Sequence, residues 1–506
     1  MSHHRVTKKP QKIIVIGAGM AGLACAARLA KRGHHVTIFE AAEFAGGKCR
    51  TEWIGDYAFD TGPSLLTLPA VYRDLFLKTG KRLEHLLELQ PVDPSFTYVF
   101  HDGKSVTLPN LSHNGTIAEI TKAFGADAGQ EWHMLLTRAE AMWESSRESF
   151  IEGELKSPFQ LLNRRSFVRD LKTIAPWKSL RDLTRIYTHN PYLEKIISRY
   201  ATYTGSDPRK VPAVLLTIAF VEEAFGAWHV KGGLGSLALA LESRVKELGV
   251  EIHFDSKVGE INIENGVSTG VTLESGVKIP ADFVVANADA SIVYNKLLPA
   301  IKQTRAPRRA LEKATPSLSG FSLLLGLRGK SNLGHHTVYF PENYDDEFDS
   351  IFQRKVPVPD PAIYICNSHD ESMKKNPDSE SWFVLINAPR HEPGRGCDWN
   401  SPGLKEKYAA HIIDLMEARG LEIRSRLEVM EIRTPSDLEV RTNAPGGSIY
   451  GTSSNGARSA FLRAKNRSPI KNLYCVGGSA HPGGGLPLVG ISAEIVAEAV
   501  EENLEQ

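Results

Sequence analysis

Three glycines near the start of the chain, Gly17, Gly19 and Gly22, have the spacing of a phosphate-binding turn. The first glycine permits a sharp turn, the second lets the backbone approach a pyrophosphate, and the third lets a helix pack close to the preceding strand. Glu40 follows about 20 residues later, where a carboxylate accepts hydrogen bonds from ribose hydroxyls and repels a 2′-phosphate. The pattern predicts a dinucleotide-binding site, and by itself it fits NAD as well as FAD.

The sequence also indicates the secondary-structure elements that position these residues. Residues 12–16 are a β-branched run typical of a buried parallel strand, and they lead directly into the glycines. An alanine-rich helical stretch follows, Gly33 supplies a helix stop, and residues 35–39 have the pattern of a second strand. This is a βαβ unit whose helix N-terminus faces the phosphates with free N–H groups and a partial positive charge.

A second bare-backbone loop, Gly46-Gly47-Lys48, follows the acidic residue, and residues 59–63 form another tight loop. A longer cofactor needs such additional close approaches. Here the sequence resembles the FAD-binding flavoprotein superfamily that includes amine oxidases and carotenoid desaturases, in which the double glycine and the next basic residue lie along the cofactor. Lys48 stands where arginine is commoner, so it offers a point charge in place of a bidentate contact. The superfamily also implies that the backbone of Val258 contacts the adenine.

The closing stretch, residues 472–487, is the most specific in the chain, and it contains His481-Pro482-Gly483. It resembles the closing signature of the phytoene-desaturase type of carotenoid desaturase, in which this loop lies beside the flavin. The resemblance extends to residues 228–233 and 284–289. Taken together, the motifs imply an FAD site, and the residues expected to contact the cofactor are Gly17, Gly19, Gly22, Glu40, Gly46, Gly47, Lys48, Val258, Gly478, Gly485 and Leu486.

His481 is the candidate catalytic residue, because it lies in the loop that faces the reacting carbon and can exchange a proton. The alternative is that it only braces a glycine-rich turn. Cys475 is expected in a buried strand, where packing is favoured over redox chemistry. The paired histidines at 34–35 and 335–336 have no acidic or cysteine partners at ligand spacing, so we expect solvated turns and no metal site. The apolar run 212–221 fits a core helix, a tunnel wall or a bilayer contact.

Composition limits the classes of function. The chain has 506 residues, of which 42% are apolar, and its 60 Lys and Arg balance 59 Asp and Glu, which gives no basic field for nucleic acid. The five cysteines lack metal-ligand spacing and indicate free thiols in a reducing compartment. No window approaches the roughly 18 apolar residues of a spanning helix. We therefore expect a cytoplasmic protein, with peripheral contact at the inner face of the cell membrane as a hypothesis.

The chain is long enough for two or more domains. The predicted fold is α/β: a Rossmann-like FAD-binding domain built from discontinuous segments, with an inserted α+β substrate domain. The FAD-binding segments are expected at 11–80, 220–295 and 465–506, and the substrate segments at 81–219 and 296–464.

The resemblance implies desaturation of an acyclic carotenoid precursor such as phytoene or diapophytoene. Such a hydrophobic isoprenoid substrate would be drawn from a membrane, and the electron acceptor, oxygen or a quinone, stays open. The nearest alternative is a carotenoid terminal-methyl oxidase of the same family. An amine oxidase is disfavoured by the closing signature, and a non-catalytic prenyl-binding carrier on the same fold is a more distant alternative.

Overall fold

Residues 9–147, 151–154, 167–456, 459 and 463–505 are described by the computed structural model of the protein. Within these ranges the strands are β1 Lys12–Ile16, β2 His35–Phe39, β3 Thr51–Ile54, β4 Tyr57–Asp60, β5 Leu89–Pro91, β6 Phe96–Val99, β7 Ser105–Leu108, β8 Trp228–Val230, β9 Glu251–His253, β10 Val258–Glu264, β11 Val267–Leu273, β12 Lys278–Pro280, β13 Phe283–Ala286, β14 Ser319–Arg328, β15 His336–Tyr339, β16 Ile363–Asn367, β17 Ser379–Ala388, β18 Leu427–Arg433 and β19 Leu473–Cys475. The α-helices of five residues or more are α1 Met20–Lys31, α2 Ala70–Thr79, α3 His113–Phe124, α4 Ala126–Ser146, α5 Phe167–Ile174, α6 Leu180–Tyr187, α7 Pro191–Arg199, α8 Thr217–Phe225, α9 Gly235–Glu247, α10 Arg305–Lys313, α11 Asp345–Asp349, α12 Leu404–Ala418, α13 Pro435–Thr442 and α14 Leu486–Leu504.

A five-stranded parallel sheet carries the glycine turn, in the order β19-β13-β1-β2-β9. β1 lies at its centre, where Ile13 to Ile16 are buried on both faces. This explains the continuous β-branched run, since a parallel sheet is covered on both sides. The strands come from three stretches of the chain that are more than 100 residues apart in sequence. The predicted α/β class with a discontinuous cofactor sheet is confirmed, whereas the predicted domain boundaries stay a prediction.

Different secondary-structure elements cover the two faces of this parallel sheet. On one face α1 packs against α9 and α14, and Ala24 and Ala27 of α1 share one buried core with Leu241 and Val496. On the other face lies the antiparallel sheet β10-β11-β12, whose Ile261 packs beside Val284 of β13. The glycine turn is therefore held between a helical layer and a second sheet.

The second large sheet has the order β18-β14-β17-β16-β15-β6-β7. Its long central strands, β14 and β17, pair antiparallel over ten residues, and only the β15–β6 pair is parallel. α12 packs on this sheet through Ile412 and Met416, against Phe321 and Trp382. The helices α4 and α7 pack at its β6–β7 end, where Trp132 and Ile196 join the core around Tyr98. This sheet forms a framework separate from the parallel sheet.

The interpretation of the paired histidines as solvated turns is wrong for His34, His335 and His336, whereas His35 is exposed at the start of β2. His34 is 7% exposed, and its Nε2 lies 2.7 Å from the Glu501 carboxylate. His336 is buried in β15 directly opposite Cys366 of β16, and burial lowers the pKa of the neighbouring His335 to about 3. The physical reason is that the partners lie on elements remote in sequence, where spacing along the chain carries no information about them.

The five cysteines are buried and their thiols are free, as the sequence predicts. Cys475 is 2% exposed in β19. Among the helices of the described ranges, none combines the length and the apolar character needed to cross a bilayer.

Candidate active site

The turn after β1 brings the three amino-terminal glycines against their neighbours. The N–H of Gly17 donates to the Phe39 carbonyl oxygen at 2.8 Å, and Gly17 adopts a φ of +93°, which favours glycine. A Cβ on Gly22 would lie 2.2 Å from the Gly17 oxygen, so the helix approaches the strand as closely as the sequence predicts. α1 begins at Met20 without a side-chain cap and without an acidic residue in its first turn. Its N-terminus thus keeps the positive end of its dipole available to an anion.

The carboxylate of Glu40 is fixed beside this turn at the end of β2. One oxygen accepts a hydrogen bond from the Ala18 N–H at 2.6 Å, and the other accepts from the Ala42 N–H at 2.9 Å. Each carboxylate oxygen has a second lone pair that can accept from a hydroxyl group. The geometry therefore suits the predicted contact with a ribose.

The second glycine loop lies against the first. The N–H of Gly46 donates to the Ala18 carbonyl oxygen at 2.9 Å. A Cβ on Gly47 would lie 3.2 Å from the Cα of Gly19, a separation tighter than ordinary van der Waals contact. Two stretches of bare backbone thus share one surface, which is the cradle that an extended pyrophosphate requires.

Lys48 extends from this loop to another part of the chain. Its ammonium group donates to the carbonyl oxygens of Ser448 at 3.0 Å and Ile449 at 2.7 Å. Burial lowers its pKa to about 8, and the Asp289 carboxylate opposes that shift. Lys48 therefore anchors the chain around residues 448–449, and its predicted contact with the cofactor stays a prediction.

The start of β10 runs beside the acidic end of β2. The N–H of Ser256 donates to the Glu40 carbonyl oxygen at 2.8 Å, and Val258 follows as a buried residue, 5% exposed. This places the Val258 segment on the Glu40 side of the site, where an adenine would follow the ribose. The contact itself stays a prediction.

The closing loop returns to the amino-terminal turn. A Cβ on Gly477 would lie 2.7 Å from the side chain of Asn287, the residue that follows β13. Gly485, with a φ of +102°, stands at the N-cap of α14, and the carbonyl oxygen of Leu486 accepts from the Tyr72 hydroxyl at 2.9 Å. The carbonyl oxygen of Gly478 faces Arg463. The two ends of the chain therefore meet at one site.

Sequence reasoning missed two residues that hold this site together. With its amide oxygen turned toward the glycine turn, Asn287 accepts from the N–H groups of Gly19 at 3.1 Å and Gly22 at 3.2 Å. The guanidinium of Arg463 donates to the carbonyl oxygens of Tyr450 and Gly478, both at 2.8 Å, and burial lowers its pKa to about 10. Asn287 lies in the motif 284–289, which gave a signal. Arg463 lies outside every motif.

A cavity of about 380 Å³ lies where the closing loop meets the helical part of the chain. Its lining includes most of residues 62–68 and all of residues 481–488, and Val214, Leu215 and Ile218 contribute apolar surface. The run 212–221 therefore lines a cavity, one of the three roles that its sequence allowed. An apolar space next to bare backbone is suited to a hydrophobic substrate beside a cofactor.

One side of this cavity carries a buried polar group. Arg199 is 8% exposed, with its guanidinium 4.6 Å from the Phe96 ring centre and 5.1 Å from that of Tyr203. The hydroxyl of Tyr203 donates to Glu222, which also accepts from Tyr200, and burial raises the pKa of the Glu222 carboxyl. Aromatic faces stabilise the buried cation in the absence of bulk water.

His481 lies on the cavity wall and is 8% exposed. Its Nε2 lies 3.0 Å from the Gly153 carbonyl oxygen, which can only accept, so Nε2 carries a proton and donates it. Burial lowers the pKa of the imidazole, which is therefore neutral near pH 7. Nδ1 is then the atom with a free lone pair, and the predicted catalytic role of His481 depends on that atom.

The convergence of two glycine loops, a ribose-directed acid and a glycine-rich closing loop beside an apolar cavity defines a dinucleotide-dependent oxidoreductase. The residues fit FAD, because the cradle continues from the first glycine turn through the closing loop. The comparisons agree: the model of the family described as flavin containing amine oxidoreductase matches residues 20–346. The chain belongs to this family, and it is an FAD-dependent oxidoreductase.

Curated relatives match this chain over nearly their full length. It is 33% identical to a 1-hydroxycarotenoid 3,4-desaturase of Flavobacterium sp., over 97% of this chain and 99% of the relative. It is 31% identical to a zeta-carotene-forming phytoene desaturase of Myxococcus xanthus, over 96% and 93%. A 4,4'-diapolycopene oxygenase of Methylomonas sp. is 29% identical, over 98% and 99%. The predicted resemblance is confirmed.

Solved structures share the fold at low sequence identity. A putrescine oxidase variant superposes with a TM-score of 0.65 at 13% identity, covering 98% of this chain and 99% of that one. An oxidoreductase from Methanosarcina mazei gives a TM-score of 0.63 at 16% identity, covering 97% and 100%. At these identities the structures support the fold alone, and the predicted fold class is confirmed.

We predict that Glu40→Gln weakens FAD binding. The amide is neutral and offers one acceptor oxygen where the carboxylate offers two, so the ribose loses a hydrogen bond to a charged group and one backbone N–H beside the glycine turn loses its partner. Hydrogen bonds to charged groups contribute about 1.5–3 kcal/mol, so the Kd for FAD should rise by about 10- to 100-fold. Titration of the apoprotein with FAD, followed by quenching of flavin fluorescence, measures the effect. The exposed neighbour variant Glu43→Gln is the matched control, and an unchanged Kd in Glu40→Gln would contradict the assignment.

Proposed function

We propose that this protein desaturates an acyclic carotenoid precursor such as phytoene or diapophytoene. The observation that carries the proposal is the shared cavity: the closing loop 481–488 and the apolar residues of 214–221 line the same space. An extended hydrocarbon in that space would lie against the loop that the family resemblance associates with the flavin. Several relatives bear the names of carotenoid desaturases, which supports the same substrate class.

The reaction removes two hydrogens from adjacent carbons of the substrate. Bound FAD supplies a two-electron acceptor for the hydride. The allylic C–H bond is already weakened by the neighbouring polyene, so the protein mainly has to align the substrate and exclude water. Val214, Leu215 and Ile218 provide the dry wall for this task.

The second hydrogen leaves as a proton, and we propose that Nδ1 of His481 accepts it. The Nε2–H bond to Gly153 fixes the ring and leaves Nδ1 as its basic atom. Since the imidazole is neutral near pH 7, the accepting form is present. A cationic polyene is a strong acid, so a weakened base suffices.

A carotenoid terminal-methyl oxygenase is the second candidate. It is favoured by the oxygenase relative from Methylomonas sp., which aligns with 98% of this chain. Both reactions use the same cofactor segments, so the distinction depends on which substrate carbon the cavity presents. The matching family is one of oxidoreductases, so the alternative of a non-catalytic prenyl-binding carrier has no support.

We predict that purified, FAD-loaded protein incubated with phytoene or diapophytoene yields products that have lost two hydrogens per step. Mass spectrometry of the extracted carotenoids measures this, and parallel reactions supplied with oxygen or with a quinone identify the electron acceptor. Products that have gained oxygen would contradict desaturation and support the oxygenase alternative.

A cavity-filling variant provides a control for this assay. Ile218→Trp places a large ring in the cavity and should suppress turnover while the flavin absorption stays unchanged. Val440→Trp, at a position 78% exposed on α13, should keep full activity. Equal activity in both variants would mean that the substrate occupies another site.

We predict that His481→Gln lowers kcat by about 10²- to 10⁴-fold, the usual contribution of a general base. Glutamine retains an amide N–H that can reach the Gly153 oxygen, and it has no basic atom at the Nδ1 position. In the unchanged enzyme, kcat should fall as the pH decreases through a pKa below the ordinary histidine value of 6.5, because protonation removes the acceptor. That inflection should vanish in the variant. If the variant is fully active and its pH profile is unchanged, His481 only supports the glycine-rich turn and takes no part in the reaction.

We propose further that the protein works in the cytoplasm and binds peripherally to the inner face of the cell membrane, where a substrate without a polar group is dissolved. An exposed tryptophan near the cavity supports this proposal. The carbonyl oxygen of Lys178 accepts a hydrogen bond from the N–H of Ala213, which precedes the lining residue Val214. Trp177, next to Lys178 in the chain, is 63% exposed. Tryptophan favours the membrane–water interface.

We predict that Trp177→Ser reduces the fraction of protein that floats with phospholipid vesicles in a density gradient. The substitution removes the aromatic surface beside the cavity, and turnover of a detergent-dissolved substrate should be unaffected. Trp53→Ser, which alters another exposed tryptophan, on β3, is the matched control. If no protein floats in any sample, peripheral binding is excluded.

A further inference from the structure

Two neighbouring strands place two histidines and a cysteine together behind the cavity. Antiparallel pairing of β15 and β16 sets His336 opposite Cys366. A ring nitrogen of His335, a ring nitrogen of His336 and the Cys366 Sγ all lie within 4.8 Å of one another. Two imidazoles and a thiol form a donor set that proteins use for transition metals.

The histidines carry nitrogen atoms that lack an internal partner. The Nε2 atoms of His335 and His336 are both buried, and neither has a hydrogen-bond partner in the part of the chain that the structure describes. Buried polar atoms are nearly always paired, so two such atoms beside a thiol point to a ligand.

The second nitrogen of His336 is held in the manner of a metal ligand. Its Nδ1 lies 2.8 Å from the Tyr364 hydroxyl, which lies 2.7 Å from the Ser64 hydroxyl. If Nδ1–H donates to Tyr364 and Tyr364 donates to Ser64, Nε2 of His336 is unprotonated and its lone pair is available to a metal ion. Metal-bound histidines commonly use their other nitrogen in this way, which fixes the ring orientation.

We propose that His335, His336 and Cys366 bind a thiophilic transition-metal ion, with Zn²⁺ as the best match. Zinc accepts both imidazole and thiolate donors, whereas Mg²⁺ and Ca²⁺ prefer oxygen. Binding would form one Zn–S bond and two Zn–N bonds, and the thiol proton would pass to solvent.

The surroundings offset the remaining charge of the ion. A thiolate leaves a net charge of +1 on the bound zinc. His229 bonds the Asp370 carboxylate at 2.9 Å, and the His229 ring centre lies 5.2 Å from that of His335. This carboxylate is thus close enough to compensate part of the charge, while Arg199 opposes binding from the side of Phe96, which stacks on His336 at 4.9 Å.

The ion would tie β15 to β16 immediately behind Tyr364 and Ser64, which both line the cavity. It would therefore fix the cavity wall without taking part in electron transfer. Binding of the ion does not depend on the proposed function, so a failed desaturation assay would not contradict the metal site.

The test uses untagged, FAD-loaded protein that is stripped with a chelator, dialysed and titrated with Co²⁺ and then Zn²⁺. We expect one ion per chain, a thiolate-to-cobalt charge-transfer band, cobalt d–d bands at wavelengths beyond the flavin absorption, and displacement of cobalt by zinc. Cys366→Ser should abolish the charge-transfer band. His335→Asn and His336→Asn, which remove Nε2, should each weaken Zn²⁺ binding by at least about tenfold. Cys397→Ser, at another buried thiol, is the matched control and should bind as the unchanged protein does.

X-ray absorption at the zinc edge keeps the test decisive if a variant fails to fold. The zinc-loaded protein should show nitrogen neighbours at about 2.0 Å and one sulfur neighbour at about 2.3 Å. Absence of stoichiometric binding, a zinc shell without sulfur, or equal affinity in a folded Cys366→Ser variant would each overturn the proposal. A retained flavin spectrum identifies the variants that are folded.

Discussion

Three parallel strands, β1, β13 and β19, end at the same edge of one sheet, and the segments that follow them contact one another through backbone and one amide side chain. Asn287 follows β13 and accepts from N–H groups of the turn that follows β1. Gly477 follows β19 and approaches Asn287 so closely that a Cβ would lie 2.7 Å from it. Side chains larger than hydrogen at these glycines would separate the segments. The cofactor cradle therefore depends on close backbone approach between parts of the chain that are remote in sequence.

This constraint explains why the two halves of the site differ in character. The cradle is made of N–H groups, carbonyl oxygens and the Glu40 carboxylate, which suit phosphates and ribose. The cavity beside it has an apolar lining that includes Leu215 and Ile218. Two cations at the junction, the buried Arg463 and the half-buried Lys48, donate to carbonyl oxygens and hold the closing loop and residues 448–449 in place. The polar half suits the cofactor, and the proposed function assigns the choice of substrate to the apolar half.

The sequence predicted the parts of the site that arise from local patterns. Residues close together in the chain are enough to indicate the βαβ unit, the burial of Cys475 and the bare-backbone loop around Gly46. The paired histidines were interpreted wrongly because His34 meets Glu501, 467 residues away. Arg463 gave no signal, since its partners are main-chain oxygens that any residue type supplies. Hydrophobic periodicity alone also left the role of residues 212–221 open between a core helix and a cavity wall.

Desaturases and oxygenases appear together among the relatives that align with nearly the whole of this chain, its cofactor segments included. The residues that distinguish them must therefore act on the substrate side of the cavity. A desaturase needs a base beside the carbon next to the one that loses hydride, and our proposal gives that role to the neutral ring of His481, which lies on the cavity wall. Another part of the lining is stiffened by the hydrogen-bonded row from Ser64 through Tyr364 to His336. Because a polyene has no polar group to anchor it, the shape of the cavity wall determines which carbon reaches the reactive position.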